Sequence, residues 1–212
     1  IEHHQGRVYR LMPRRNPAVN KSWIHNDTRL LYRQLDANRL TGGRLAGQAA
    51  TLAAAYQAAA EALRGARRIA LVASGHLTLE DNQTLLALAE ALGDHAEVFG
   101  GSWLPVAAGD GIARSGDPVG NRRACELLGI GDTLDQLVTR ADEFDCLLVC
   151  GNDLWGADPE RAAALSAIEH RIVCASWQDA TVAQATVAIG VRCWAEVRGV
   201  FINCHDRAQL LN

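Results

Sequence analysis

Phe144-Asp145-Cys146-Leu147-Leu148-Val149-Cys150-Gly151-Asn152-Asp153 is the stretch that decides the fold. A short, nearly continuous apolar run that stops on Gly-Asn-Asp is too short for a core helix and ends in turn chemistry, so it predicts a buried strand over Phe144–Cys150. Strands buried on both faces belong to parallel sheets covered by helices. Working outward, Ile69–Ser74 repeats the pattern, and Leu79–Leu92 follows it as an amphipathic helix closed by Gly93. Glu97–Phe99 makes a short second strand. Asn121–Leu128 and Leu134–Arg140 read as helical pieces. Pro159–Ile168, entered through an Asp158 cap with proline in the first turn, reads as another helix. Arg171–Ala175 is a strand, Thr181–Ala185 a short helical turn, and Val187–Val191 a last strand. Strands alternating with helices predict an α/β fold with a mostly parallel sheet flanked by helices.

The flanks differ in character. Arg7–Leu11 alternates like a strand, and Pro13, Asn16-Pro17 and Asn20 then punctuate a loop leading to Trp23-Ile24. These residues predict a small N-terminal strand-and-loop module over residues 1–47, ahead of an α/β domain over 48–212. Gly42, Gly43 and Gly47 connect the two, and the Ala-rich stretch Gln48–Leu63, stopped by Gly65, predicts a helix. Gly100–Gly120 carries Gly, Pro, Asp and Ser at turn density and reads as a long surface loop.

At 212 residues and 22.8 kDa, with 49% hydrophobic and 21% charged residues, the chain has the composition of a soluble globular protein. No apolar run approaches the roughly 20 residues of a membrane-spanning helix. A net charge of -3 gives no general attraction to nucleic acid, although Arg7, Arg10, Arg14 and Arg15 make the N-terminus locally basic. The first residue is Ile1 and Ile-Glu-His-His reads like the middle of a strand, so a trimmed piece of a longer chain is expected. Six cysteines, several inside apolar runs, suit a reducing compartment and free thiols rather than a disulfide framework.

Candidate chemistry concentrates in few places. Gly151, Asn152 and Asp153 follow the best strand, where ligands of open α/β sheets bind, but neither G-x-G-x-x-G nor G-x-x-x-x-G-K-[ST] occurs to cradle a phosphate. His3, His4 and His25 offer metal-ligand atoms. Adjacent residues of a strand point to opposite faces, however, and no C-x-x-C pair accompanies them, so exposed or locally hydrogen-bonded histidines are expected. Cys204-His205-Asp206 has the residue types of a nucleophile, base and orienter, yet consecutive residues do not converge as a triad. Arg192–Arg207 is polar and aromatic, and an Arg-Glu network fastening a C-terminal loop is the expected role. No catalytic residue is assigned.

A resemblance to known proteins spans nearly the whole chain. Gly6–Asn20, Trp23-Ile24, Thr28-Arg29, Tyr32 and Arg39-Leu40 together resemble the start of molybdopterin oxidoreductases, most closely the large iron-sulfur subunit of NADH:quinone oxidoreductase. The likeness continues through Ala73-Ser74, Leu79-Glu80-Asp81, Asp110-Gly111-Ile112 and Asn121–Gly129. It runs on through Gly151-Asn152-Asp153, Thr181–Ala185, Trp194-Ala195-Glu196, Gly199–Asn203 and Arg207-Ala208-Gln209. The resemblance implies an electron-transfer oxidoreductase of several subunits and a remnant pterin-type pocket at Gly151, Asn152, Asp153, Gly199, Asn203 and Arg207. Departures limit it. His25 stands where many relatives carry a cluster-ligating cysteine, and the segment between Leu40 and Ile69 lacks the stretch that supplies a metal-ligating cysteine or selenocysteine. The expectation is therefore a non-catalytic structural domain with no cofactor or metal of its own, beside iron-sulfur clusters held elsewhere in the assembly. It would be cytoplasmic, peripheral to the inner membrane through partner subunits, with no nucleic acid bound and no direct membrane insertion. Two other readings stay open: a fragment of a formate-dehydrogenase-like molybdopterin enzyme completed elsewhere, and a small-molecule-binding α/β domain.

Overall fold

The structure, a computed structural model, describes residues 1–110 and 115–211. The described residues form two compact units, one from residues 1–39 with those of 105–118, the other from residues 40–104 with 119–211. In the first, strands β1 (Glu2–His4) and β2 (Arg7–Arg10) pair as an antiparallel hairpin. Its turn, Gln5-Gly6, has φ of 48° and 77°, the left-handed backbone that two-residue hairpin turns require. The Asn16 carbonyl accepts from the amides of Val19, Asn20 and Lys21, closing the loop foreseen around Asn16-Pro17. Helix α1 (Asn26–Leu30) then runs into a 3-10 turn, Leu31–Gln34. Leu11 and Leu35 are the buried large apolar side chains of this unit among the described residues.

The second unit is built on a seven-stranded sheet. Its elements are β3 (Gly43–Leu45), β4 (Gln48–Ala50), α2 (Leu52–Gly65), β5 (Ile69–Val72), α3 (Leu79–Leu92), β6 (Ala96–Phe99), α4 (Arg122–Leu127), α5 (Leu134–Thr139) and β7 (Cys146–Cys150). There follow α6 (Leu154–Ala157), α7 (Pro159–Ala162), β8 (His170–Ala175), α8 (Ala180–Ala183), β9 (Val187–Gly190), β10 (Gly199–Ile202) and β11 (Ala208–Leu211). The strand order is β4-β3-β9-β8-β7-β5-β6. All five strands from β9 to β6 are parallel, while β3 and β4 extend the sheet antiparallel. The fold is thus α/β, with a mostly parallel sheet flanked by helices.

Strand alternation divides the core into two layers. Ala70 and Val72, Leu147 and Val149, Val173 and Ala188 face one side, where α5 through α8 contribute Leu134, Leu137, Leu154, Trp155, Ala162 and Val182. Ile69, Leu71 and Ala73, Cys146 and Leu148, Ile172 and Ile189 face the other, against Ala55 and Ala59 of α2, Leu85 of α3 and Cys125 of α4. Helix α3 begins with a reciprocal cap: the Thr78 hydroxyl accepts from the Asp81 amide, and the Thr78 amide donates to the Asp81 carboxylate, both at 3.1 Å.

Four details differ from the sequence reading. Gln48–Ala50 is a strand, because Ala46 and Gly47 turn the chain through positive φ and the Thr51 hydroxyl caps the Ala54 amide, so the helix starts only at Leu52. Sheet pairing overrides alanine's helix propensity there. The β3–β4 hairpin also runs across position 47, where the N-terminal module was expected to end. The helix expected over Pro159–Ile168 tightens after Ala162 into a 3-10 turn, Ala163–Ala167. A period of three places Ala162, Leu165 and Ile168, all buried, on one side. The segment after Arg192, foreseen as a loop, contains the β10–β11 hairpin.

Strand β6 is a sheet edge, and charge covers it. The Arg140 guanidinium donates to both Glu97 oxygens at 2.6 and 2.8 Å and to Glu143, while lying over the Phe144 and Phe99 rings. This hydrogen bonding holds the Glu97 carboxyl below its ordinary range. A depressed carboxylate stabilises the fold above its unfolded pKa and loses that contribution as pH falls. Arg140→Ala is therefore expected to lower stability modestly at pH 7, both groups being largely solvent-screened, and to matter less near pH 3, as read by urea denaturation.

Candidate functional site

Chain order and strand order part company at β5. Strand β6 lies on one side of β5, and the chain then returns to place β7 on the other. In open α/β sheets the strand ends at such a reversal splay their loops and leave a crevice. Here those loops are Ser74–Leu77 after β5 and Gly151–Asp153 after β7, with Gly100 and Gly101 after β6.

Polar side chains of the chain itself bridge these loops. The Ser74 hydroxyl crosses the reversal to donate to the Gly151 carbonyl at 2.8 Å and accepts from the His76 amide. Asn82, fully buried on α3, donates to the Ser74 carbonyl at 3.0 Å and accepts from its amide. The Asn152 amide group donates to the Gly101 carbonyl at 3.1 Å, joining the β7 loop to the β6 loop. Gly151 has φ of 60° and sits against Leu77, so a side chain there would be strained and would strike the leucine.

Asp153 faces away from this seam. One of its oxygens accepts from the Gly156 amide, the Thr181 amide and the Thr181 hydroxyl at 3.1, 3.0 and 2.8 Å, tying the start of α6 to α8. Beside it Asp179, which caps α8 through the Val182 amide, is pushed up to about 6 by burial, with the Asp153 charge adding to the effect. A carboxyl whose folded pKa exceeds its unfolded value of 3.8 binds more protons when folded, so stability falls as pH rises from about 4 to 6 and the cost persists above. Asp179→Asn keeps an oxygen for the cap and removes the charge. It is expected to raise stability by about 2 kcal/mol at pH 8 and to have little effect near pH 3, a difference that thermal melts at the two pH values would read.

The other expected site residues lie at the β10–β11 hairpin. Gly199 opens β10 against Thr78 and Glu80 of the α3 start, and the Glu80 carboxylate accepts from the Val200 amide at 2.8 Å. Asn203 and Arg207 come together in the hairpin turn, where the Asn203 side chain accepts from the His205 and Arg207 amides. The bonds of these residues and those of Gly151, Asn152 and Asp153 lead to different partners. The ties that fasten the hairpin come from α3 and α4: Glu80, the ion pair of Arg123 with Asp206, and above all Asn121. Asn121 is fully buried, donates to the Leu77 and Val200 carbonyls and accepts from the Ile202 amide. Its central position, like the roles of Asn82 and Thr181, is not foreseen from the sequence. The available signal was an asparagine at the entrance to an apolar helix.

A shallow cleft of about 80 Å³ lies at the ends of β5 and β6, lined by Gly75, Gly101, Arg122, Cys125, Glu126 and Asp132 among others. Gly75 is required there, since a Cβ would lie 2.2 Å from Val119 and 3.0 Å from the Arg122 amide nitrogen. Burial pushes the Cys125 thiol up, which leaves it a poor nucleophile.

Iron-sulfur ligation needs thiolates that converge. Residues 1–39 contain no cysteine, and the His25 ring nitrogen accepts from the Asp27 amide at 3.3 Å as the cap of α1. Residues 40–69 likewise contain no cysteine and form β3, β4 and α2 up to the first residue of β5. Neither segment fits the cluster or the metal that the resemblance would bring. Cys204, His205 and Asp206 sit in one exposed turn. The expected match at Asp110-Gly111-Ile112 lies partly outside the described residues. No helix among the described residues is long and apolar enough to cross a membrane.

No family model matches the sequence, and no curated protein matches it.

Proposed function

We propose that this chain is a non-catalytic structural domain of a multi-subunit electron-transfer oxidoreductase, a molybdopterin-oxidoreductase-like α/β domain akin to the large iron-sulfur subunit of NADH:quinone oxidoreductase. In this reading the redox centres belong to neighbouring iron-sulfur segments or subunits, and the domain acts on the cytoplasmic side as a scaffold. The observation that carries the reading is the seam at the β5–β7 reversal. Ser74, Asn82, Asn121 and Asn152 spend their hydrogen-bonding capacity on the chain's own loops, where a cofactor-binding relative would turn such groups toward a ligand. The adjoining cleft is far below the roughly 300–1,000 Å³ of small-molecule sites.

An assembly role has support of its own in residues 1–39. They carry eight basic against three acidic side chains and leave Tyr9, Met12, Val19, Trp23 and Leu30 exposed, with Trp23 65% accessible. Aromatic and aliphatic side chains displayed among arginines are the composition of protein interfaces and suit an acidic partner surface. The test is anaerobic purification of the chain alone and with its co-purifying subunits, followed by metal analysis for iron, molybdenum and tungsten and an absorbance spectrum. The expected result is iron and visible absorbance in the assembly and neither in the isolated chain. Stoichiometric molybdenum or tungsten in the assembly, at a site this chain helps to form, would instead favour the formate-dehydrogenase-like reading.

The cleft beside Arg122 and Asp132 favours one second reading, a site for a very small polar ligand. Ligand-dependent stabilisation that disappears in Arg122→Ala would support it.

A further inference from the structure

Cys150 and Cys174 occupy directly opposed positions on adjacent parallel strands, as the last pair of the β7–β8 ladder. Neighbouring strands lie about 4.8 Å apart, inside the Cα separation of roughly 4.4–6.8 Å that a disulfide spans. Both side chains point to the face covered by α2, α3 and α4, both are free thiols, and both are half-buried rather than sealed. The Gly151 amide donates to the Cys174 carbonyl at 2.9 Å, so the two strand ends are already held together. The remaining cysteines differ. Cys125, Cys146 and Cys193 are buried, and burial pushes Cys146 up to about 12. Cys204 is exposed in the β10–β11 turn.

We propose that Cys150 and Cys174 form a reversible intramolecular disulfide by exchange with a small-molecule disulfide, locking the exit of β7 to β8 under the Gly151-Asn152-Asp153 loop. The closeness of the two thiols in the ladder lowers Cys174 and raises Cys150, which favours Cys174 as the attacking group. Its thiolate attacks one sulfur of the small disulfide and expels a small thiolate, leaving a mixed disulfide on Cys174. Cys150 then gives up its proton and attacks the Cys174 sulfur, expelling the second small thiolate. Two protein thiols are oxidised, the small disulfide is reduced to two thiols, and the two protons go to the released thiolates. The inference does not depend on the proposed assembly role, since it rests only on the β7–β8 ladder.

The experiment uses C204S protein treated with oxidised glutathione, then alkylated without denaturation and analysed by mass spectrometry. The expected product has lost two hydrogen atoms, carries a link between the tryptic peptides ending at Arg161 and Arg192, and regains both thiols on treatment with dithiothreitol. Fragmentation within the first peptide distinguishes Cys150 from Cys146. In C150S, glutathione should remain trapped on Cys174. A protein that stops at the mixed disulfide while Cys150 is present, or one that links Cys146 instead, overturns the proposal. So does linkage that appears only after denaturation. Because the first measurement leaves both cysteines in place, a C150S protein that fails to fold does not blunt it.

Discussion

Asn121→Leu is expected to destabilise the protein by about 3–6 kcal/mol, on the basis of roughly 1–3 kcal/mol for each buried hydrogen-bonding group left without a partner. The leucine fills a similar volume, but the Leu77 and Val200 carbonyls lose their donor and the Ile202 amide loses its acceptor. All three are backbone groups around a side chain with no accessible surface, so water does not replace the asparagine without opening the structure. Against a total stability of about 5–15 kcal/mol, the variant stands near the limit of folding. Urea denaturation would show a lower midpoint. Hydrogen exchange should locate the first loss of protection in 199–211, because the β10–β11 hairpin is the element that Asn121 fastens to the α3–α4 side. Asn121→Asp keeps the acceptor but sets a carboxylate against two carbonyls, so it should fail at pH 7 and recover in part at acid pH. A cost under about 1 kcal/mol for Asn121→Leu would mean that the hairpin is held by Glu80 and Arg123 instead, at the modest level expected of exposed ion pairs.

The parts of this architecture legible in the sequence are those governed by local pattern. Ile69–Val72 and Cys146–Cys150 announce themselves because a strand covered on both faces is apolar at every position, and α3 does so because its helical run of apolar residues is stopped by Gly93. Gln48–Ala50 did not, since three residues ahead of an Ala-rich helix have nothing local to separate them from it; pairing through β3 with β9, about 140 residues away, makes them a strand. The site divides along the same line. Gly151-Asn152-Asp153 was visible as the loop after the best strand, but its partners were not, because Asn152 bonds Gly101 and Asp153 bonds Thr181 only once the sheet is assembled. Gly199, Asn203 and Arg207 entered through resemblance rather than through any local signal. They lie on a hairpin whose first strand is buried only at Gly199 and Ile202 and whose second is exposed or half-buried throughout, so neither strand carries a clear core-facing period.

Asp153 offers the sharpest separation between a ligand-binding loop and a structural one. Asp153→Ala removes the acceptor shared by the Gly156 amide, the Thr181 amide and the Thr181 hydroxyl, and Thr181 is itself fully buried and accepts from the Trp155 amide. The expected cost is about 2–4 kcal/mol, less than for three sealed groups because Gly156 is exposed and its amide turns to water. Asp153→Asn should behave differently. It retains an oxygen toward Thr181 and removes the charge facing Asp179, so the loss of charge-assisted bonding and the relief of repulsion oppose one another, and the net change should stay within about 1 kcal/mol. The Asp179 carboxyl should at the same time titrate lower, since part of what raises it is the Asp153 charge. A carboxylate kept for a ligand would give the reverse pattern: both variants stable, and both unable to bind. Chemical denaturation of the two variants, with a pH titration of the Asp179 carboxyl by NMR, therefore decides whether the loop after β7 is an empty site or a structural joint. The three donors already converging on one Asp153 oxygen favour the joint.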